Sequence, residues 1–143
     1  MFNPSRDQSR DFLLEAWRKY GANEPLSALE SLAIGVIAEH PEYHSFFVSR
    51  DKAIEQDFSP ESGHANPFLH IYMHIAIREQ IAIDKPHGVL NAHQKLSQQH
   101  DSIMDAEHVM MECLAEMIWQ AQRTKTAPDA EAYLRCLAGT IAA

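Results

Sequence analysis

The stretch Asn66-Pro67-Phe68-Leu69-His70-Ile71-Tyr72-Met73-His74-Ile75-Ala76-Ile77-Arg78-Glu79-Gln80-Ile81-Ala82-Ile83 decides the fold class. Plotted at about 100° per residue, its apolar side chains cover nearly the whole circumference of a helix, the pattern of a buried central helix. Into that apolar cylinder the sequence sets His70 and His74 one turn apart, with Arg78 continuing the strip. A buried imidazole needs a hydrogen-bond partner or a metal, because leaving it with neither costs about 1–3 kcal/mol. The stretch therefore predicts an all-α fold with a polar site inside it.

On either side the same helical period recurs. A first helix is predicted over residues 4–20, with Pro4 at its first position and Gly21 as its stop; Phe12, Leu13, Ala16, Trp17 and Tyr20 form its apolar side. A second opens at Ser27, where Glu30 three residues on makes a capping box, and ends where Pro41 follows His40. Pro41 can start a short helix through Phe47. Residues 49–65 read as a loop, with turn signals at Ser59-Pro60 and Ser62-Gly63. After the central helix and the stop at residues 84–88, a short amphipathic piece (89–100) leads to a long helix (102–123). Thr124 to Pro128 breaks it, and a last helix follows over 129–138. With 5 glycines and no alternating strand pattern, the whole chain, residues 1–143, is expected to form one helical domain, a bundle of about five principal helices.

Bulk composition narrows the function classes. A net charge of −8, with no basic patch or arm, argues against nucleic acid and anionic membrane surfaces as partners. No apolar run is long and uncharged enough to span a bilayer, and residues 1–7 lack the apolar core of a signal peptide. Cys113 and Cys136 stand apart, with no metal or redox spacing, which makes a reduced cytoplasmic setting the expectation. Nine histidines are many for 143 residues; protonating all of them would carry the formal charge from −8 to +1.

His70 and His74 lead the candidate metal ligands, because i, i+4 spacing puts two rings on one helix face about 6 Å apart. Two core histidines hydrogen-bonded to their surroundings would give the same spacing. Glu30 falls inside the apolar arc of the second helix, between Ile34 and Ile37, where a carboxylate needs a cation or a metal; the capping box is its alternative role. His40 falls inside that arc as well, and His44 lies just past the kink at Pro41. On the long helix His108, Glu112 and Glu116 follow one another at i, i+4, a possible donor of imidazole and carboxylate to a bundle core. Their face is the more polar one, so solvation is the alternative there. No thiol nucleophile, glycine-rich phosphate loop or serine nucleophile motif is present.

Several of these pieces, Met1-Phe2-Asn3-Pro4-Ser5-Arg6, His40-Pro41-Glu42-Tyr43-His44, Asn66-Pro67-Phe68-Leu69-His70 with Met73-His74, Met111-Glu112-Cys113-Leu114-Ala115-Glu116 and Trp119-Gln120-Ala121-Gln122-Arg123, resemble an uncharacterised bacterial family, domain of unknown function 1841. The resemblance covers nearly the full length. It implies a bacterial cytoplasmic protein and supplies no activity, substrate or site residue.

Two functional expectations follow from the residues. In the first, His70 and His74 hold a divalent transition metal (Zn, Fe or Mn), completed by Glu30, His44, or His108 and Glu112, and an open coordination position would allow hydrolysis or oxygen chemistry on an unspecified substrate. In the second, the chain is a non-catalytic interaction module or homodimer with structural histidines, and Trp119 is the candidate contact residue.

Overall fold

The computed structural model describes residues 5–56, 58 and 66–142. Among them every regular element is helical: α1 (Arg6–Gly21), α2 (Ala28–Ala38), a 3₁₀ helix (Pro41–Phe47), α3 (Arg50–Glu55), α4 (Pro67–Ile83), α5 (Val89–His100), α6 (Ile103–Thr124) and α7 (Ala130–Thr140). The all-α expectation holds, with more short helices than the period alone distinguishes. The chain divides into two compact units, Met1–Ile75 and Ala76–Ala143, and the division falls inside α4.

In the first unit the helix starts are set by local chemistry. Ser5 caps α1: its Oγ accepts from the Gln8 amide at 3.2 Å while Gln8 Oε1 accepts from the Ser5 amide at 2.9 Å. Pro4, expected inside this helix, lies outside the described residues. Ser27 and Glu30 form the predicted reciprocal box at the start of α2. These caps satisfy amides that a helix leaves without internal partners. Leu13, Leu14 and Ala16 of α1 pack with Ala33, Ile34, Val36 and Ile37 of α2 and with Phe68, Ile71 and Ile75 of α4. Tyr72 ties α4 to α1 by donating its hydroxyl to the Ser9 carbonyl at 2.7 Å; burial pushes that phenol's pKa up to about 12.

Residues 50–55 are helical where a loop is expected. The reason is tertiary. Arg10 of α1, only 3% exposed, sends Nη1 to the carbonyls of Ala53, Ile54 and Gln56 at 3.0, 3.0 and 2.7 Å. Those are the carbonyls at the end of α3, which the helix itself leaves open. The guanidinium also lies 5.3 and 5.0 Å from the ring centres of Phe58 and Phe68, so its planar face is covered by aromatic rings. The turn signals expected at Ser59-Pro60 and Ser62-Gly63 lie outside the described residues.

The second unit is built on α5, α6 and α7. Asp84 caps α5 from four residues upstream, its Oδ1 accepting from the Gly88 and Leu90 amides at 3.1 Å each. The Leu90 bond does most to hold its pKa below the usual carboxylate range, with the Gly88 bond and His87 adding to it. Ser102 and Asp129 cap α6 and α7 in the same way. Ala92, Leu96, Ala106, Met110, Leu114 and Leu137 are buried. Arg78 pairs with Glu107, Nε to Oε1 at 3.1 Å, and the carboxylate is 2% exposed. His93 Nε2 stands 3.9 Å from the same carboxylate, yet burial is the stronger influence and depresses the His93 pKa.

Two expectations need correction. Cys113 and Cys136 are joined by a disulfide. Twenty-three residues separate them in sequence, but α6 and α7 run back on one another, so a spacing that matches no short motif brings the sulfurs together. Most of α4 is buried or half-buried as predicted, but Leu69 is 59% and Ile83 65% exposed.

Replacing Arg10 with Met keeps an apolar stem and removes its three hydrogen bonds to the end of α3, leaving there the one from Arg6 to the Ile54 carbonyl. Urea unfolding is expected to show a loss of about 2–4 kcal/mol. Amide exchange should show α3 losing protection first.

Candidate metal centre

His40 stands just past α2, whose cap is Glu39. The following Pro41 disfavours helical backbone at His40, which takes φ −125° and ψ 65°. The ring folds back on the helix it has left, and Nδ1 lies 2.8 Å from the Val36 carbonyl. A carbonyl can only accept, so Nδ1 carries the proton and Nε2 of the neutral ring presents a lone pair. This pattern, one ring nitrogen fixed by a backbone carbonyl and the other directed elsewhere, is how protein metal sites orient histidine ligands.

His70 and His74 project from adjacent turns of α4. The three imidazoles form a nearly equilateral triangle, with ring centres 4.9 Å apart for His40–His70 and 4.8 Å for the other two pairs. The Nε2 atoms of His40 and His70 are 3.2 Å apart, as are those of His70 and His74. The ligating nitrogens of all three lie within 4.8 Å of one another. His40 is 3% exposed and His74 0%. Tyr43 stacks on His40, ring centres 5.3 Å apart and planes within 5°, and meets His70 edge-on; burial raises the Tyr43 pKa, with Glu42 adding to the shift.

Each short nitrogen–nitrogen contact of this triangle needs a proton or a cation between its atoms. With His40 Nε2 unprotonated, a hydrogen on His70 Nε2 can be donated to it across 3.2 Å. Without that hydrogen, two lone pairs face each other at 3.2 Å. A cation at the centre answers both contacts at once. Three nitrogens bound at about 2.0–2.1 Å with tetrahedral angles stand about 3.3–3.4 Å apart, close to the spacing observed.

Glu30 and His44 are engaged elsewhere. Glu30 keeps its capping role, Oε1 accepting from the Ser27 amide at 2.8 Å, and pairs with Lys19 Nζ at 3.0 Å. The Ser27 amide bond, followed by Lys19, lowers its pKa. His44 Nε2 donates to the Ile37 carbonyl at 2.9 Å, and its ring packs against Trp17. His108 and Glu112 belong to α6 in the second unit, the histidine half-buried and the carboxylate exposed; Glu116 is exposed too. The residue missing from the expected ligand set is His40. Its place in the apolar arc of the second helix was the signal, since that arc carries it to the same core as Val36 and Ile37.

A family model described as "Domain of unknown function (DUF1841)" matches residues 5–139. The chain belongs to that family. The match takes in all three histidines of the triangle. No curated protein and no solved structure matches the chain.

The His40 tautomer is directly measurable. Long-range proton–nitrogen correlation spectra of the metal-free protein are expected to place the His40 proton on Nδ1. A proton on Nε2 would remove the orientation described above.

Proposed function

We propose that this protein binds a divalent transition metal through the Nε2 atoms of His40, His70 and His74. The observation that carries the proposal is the 3.2 Å spacing of nitrogens, one of which is left unprotonated by the Val36 carbonyl. Of the metals expected from sequence, an all-imidazole donor set favours Zn or Fe over Mn, which prefers oxygen ligands. Three neutral ligands also leave a position for water, whose acidity a bound dication would raise. We place the protein in a cytoplasmic setting.

From the sequence, His108 and Glu112 stay proposed as further ligands. Metal affinity of the His108→Ala and Glu112→Ala variants tests them separately from the triangle.

Protein purified without a metal-affinity tag is expected to carry, or take up on titration, about one equivalent of metal per chain. Replacing His40, His70 or His74 singly with Ala should weaken binding by about 100-fold or more. A strong chelator at neutral pH should lower the melting temperature, with recovery on adding one particular metal. No uptake of any transition metal, together with melts indifferent to chelator, would contradict the proposal.

A homodimer or interaction module is the second reading. It is favoured by Trp119, 54% exposed beside the half-exposed Ile118, with the Arg123 guanidinium over its ring. A strictly monomeric sedimentation profile would count against it.

A further inference from the structure

We propose that the Cys113–Cys136 disulfide is a site of exchange with low-molecular-weight thiols, Cys136 being the sulfur attacked and Cys113 the sulfur that leaves and later resolves the adduct. Both cysteines line a cleft of about 450 Å³ between α6 and α7, whose other walls include Met117, Ala121, Ala132 and Tyr133. The cleft gives solvent and small solutes a path to the bond. The two sulfurs are not equivalent. Cys113 sits on the packed side of α6 and is 2% exposed, whereas Cys136 is an exposed residue of α7.

That difference decides the direction of attack. Exchange requires a thiolate to approach one sulfur in line with the bond that breaks, so the nucleophile arrives from the side opposite the leaving sulfur. Attack on Cys136 comes from outside, across an exposed residue. Attack on Cys113 would have to come through the buried side of α6. An external thiolate therefore forms a bond to Cys136 Sγ as the Cys113–Cys136 bond breaks, and the electron pair leaves on Cys113 Sγ, which takes a proton from water. A second external thiolate attacks the outer sulfur of the mixed disulfide, releasing the oxidised small thiol and the Cys136 thiolate. In sum, the protein disulfide and two thiols give two protein thiols and one small-molecule disulfide. Run in reverse, the small disulfide thiolates Cys136, and Cys113 displaces it.

The reverse step needs the two thiols held near each other after reduction. The packing of α7 provides that. Tyr133 and Leu137, on either side of Cys136 in sequence, are 1% and 0% exposed, and the Tyr133 hydroxyl donates to Gln80 Oε1 at 2.8 Å. With these contacts in place the helix stays docked when its covalent tie is cut, and the bond can re-form. Disulfides of cytosolic proteins are mostly of this exchanging kind, whereas those of secreted proteins are mostly permanent.

The test uses the full chain purified without reductant, with 2-mercaptoethanol as the thiol. Limiting thiol followed by an acid quench, alkylation and peptide mapping is expected to find the mixed disulfide on Cys136 and the alkyl label on Cys113. With the oxidised form of the same thiol, Cys113→Ser should accumulate one stable adduct per chain, and Cys136→Ser should be modified about tenfold more slowly or less. Wild-type mapping decides the matter if either variant fails to fold. An adduct on Cys113 in the wild type would overturn the proposal, as would equal rates in two folded variants. So would a chain that is purified with both thiols free and does not pair them when the oxidised thiol is added.

Discussion

Where α2 ends, the Nδ1 of His40 donates to the carbonyl of Val36 at 2.8 Å, and the chemistry of the first unit depends on that bond. It spends the only ring proton of a neutral imidazole on the backbone. The other nitrogen is thereby committed as an acceptor, 3.2 Å from His70 Nε2 and with the His74 ring close by. Had the ring turned the other way, His40 Nε2 would carry the proton and present no lone pair to a ligand. One backbone carbonyl thus fixes which nitrogen of His40 is open to a proton donor or a cation.

The surrounding fold keeps this arrangement rigid by means that are local and inexpensive. A capping box begins α2 and Pro41 ends it, so the helix delivers His40 at a defined turn. Tyr72 anchors α4 to α1 between the turns that carry His70 and His74. Tyr43, from the 3₁₀ helix, lies flat against the His40 ring and limits its rotation. Apolar side chains of α1, α2 and α4 form the core of the same unit. A site whose ligands are held by packing and backbone bonds loses little freedom when an ion enters it.

How legible was this in the chain? The α4 histidines were, because i, i+4 spacing on an apolar helix is a short-range pattern and helix geometry does the rest. The capping box at Ser27 was equally local. His40 was visible as a residue of an apolar arc, but choosing it over His44 required the ring orientation, which depends on where the chain turns after Pro41. Arg10 binding the end of α3 lies beyond any sequence pattern: the partners are more than forty residues apart, and a lone arginine on a helix reads as a solvated charge. The Cys113–Cys136 pair fails for a similar reason. Motif spacing describes loops and single helices, not two helices that fold back on each other. Arg78 was seen in line with the histidines, but its partner Glu107 is likewise a tertiary fact.

The most direct measurement is anomalous scattering from a crystal of the metal-loaded protein, recorded above and below the absorption edge of the metal found by elemental analysis. The account predicts one peak at about 2.0–2.1 Å from the Nε2 atoms of His40, His70 and His74, with His40 Nδ1 still bonded to the Val36 carbonyl. A metal seated elsewhere, with the three imidazoles hydrogen-bonded among themselves, would contradict it.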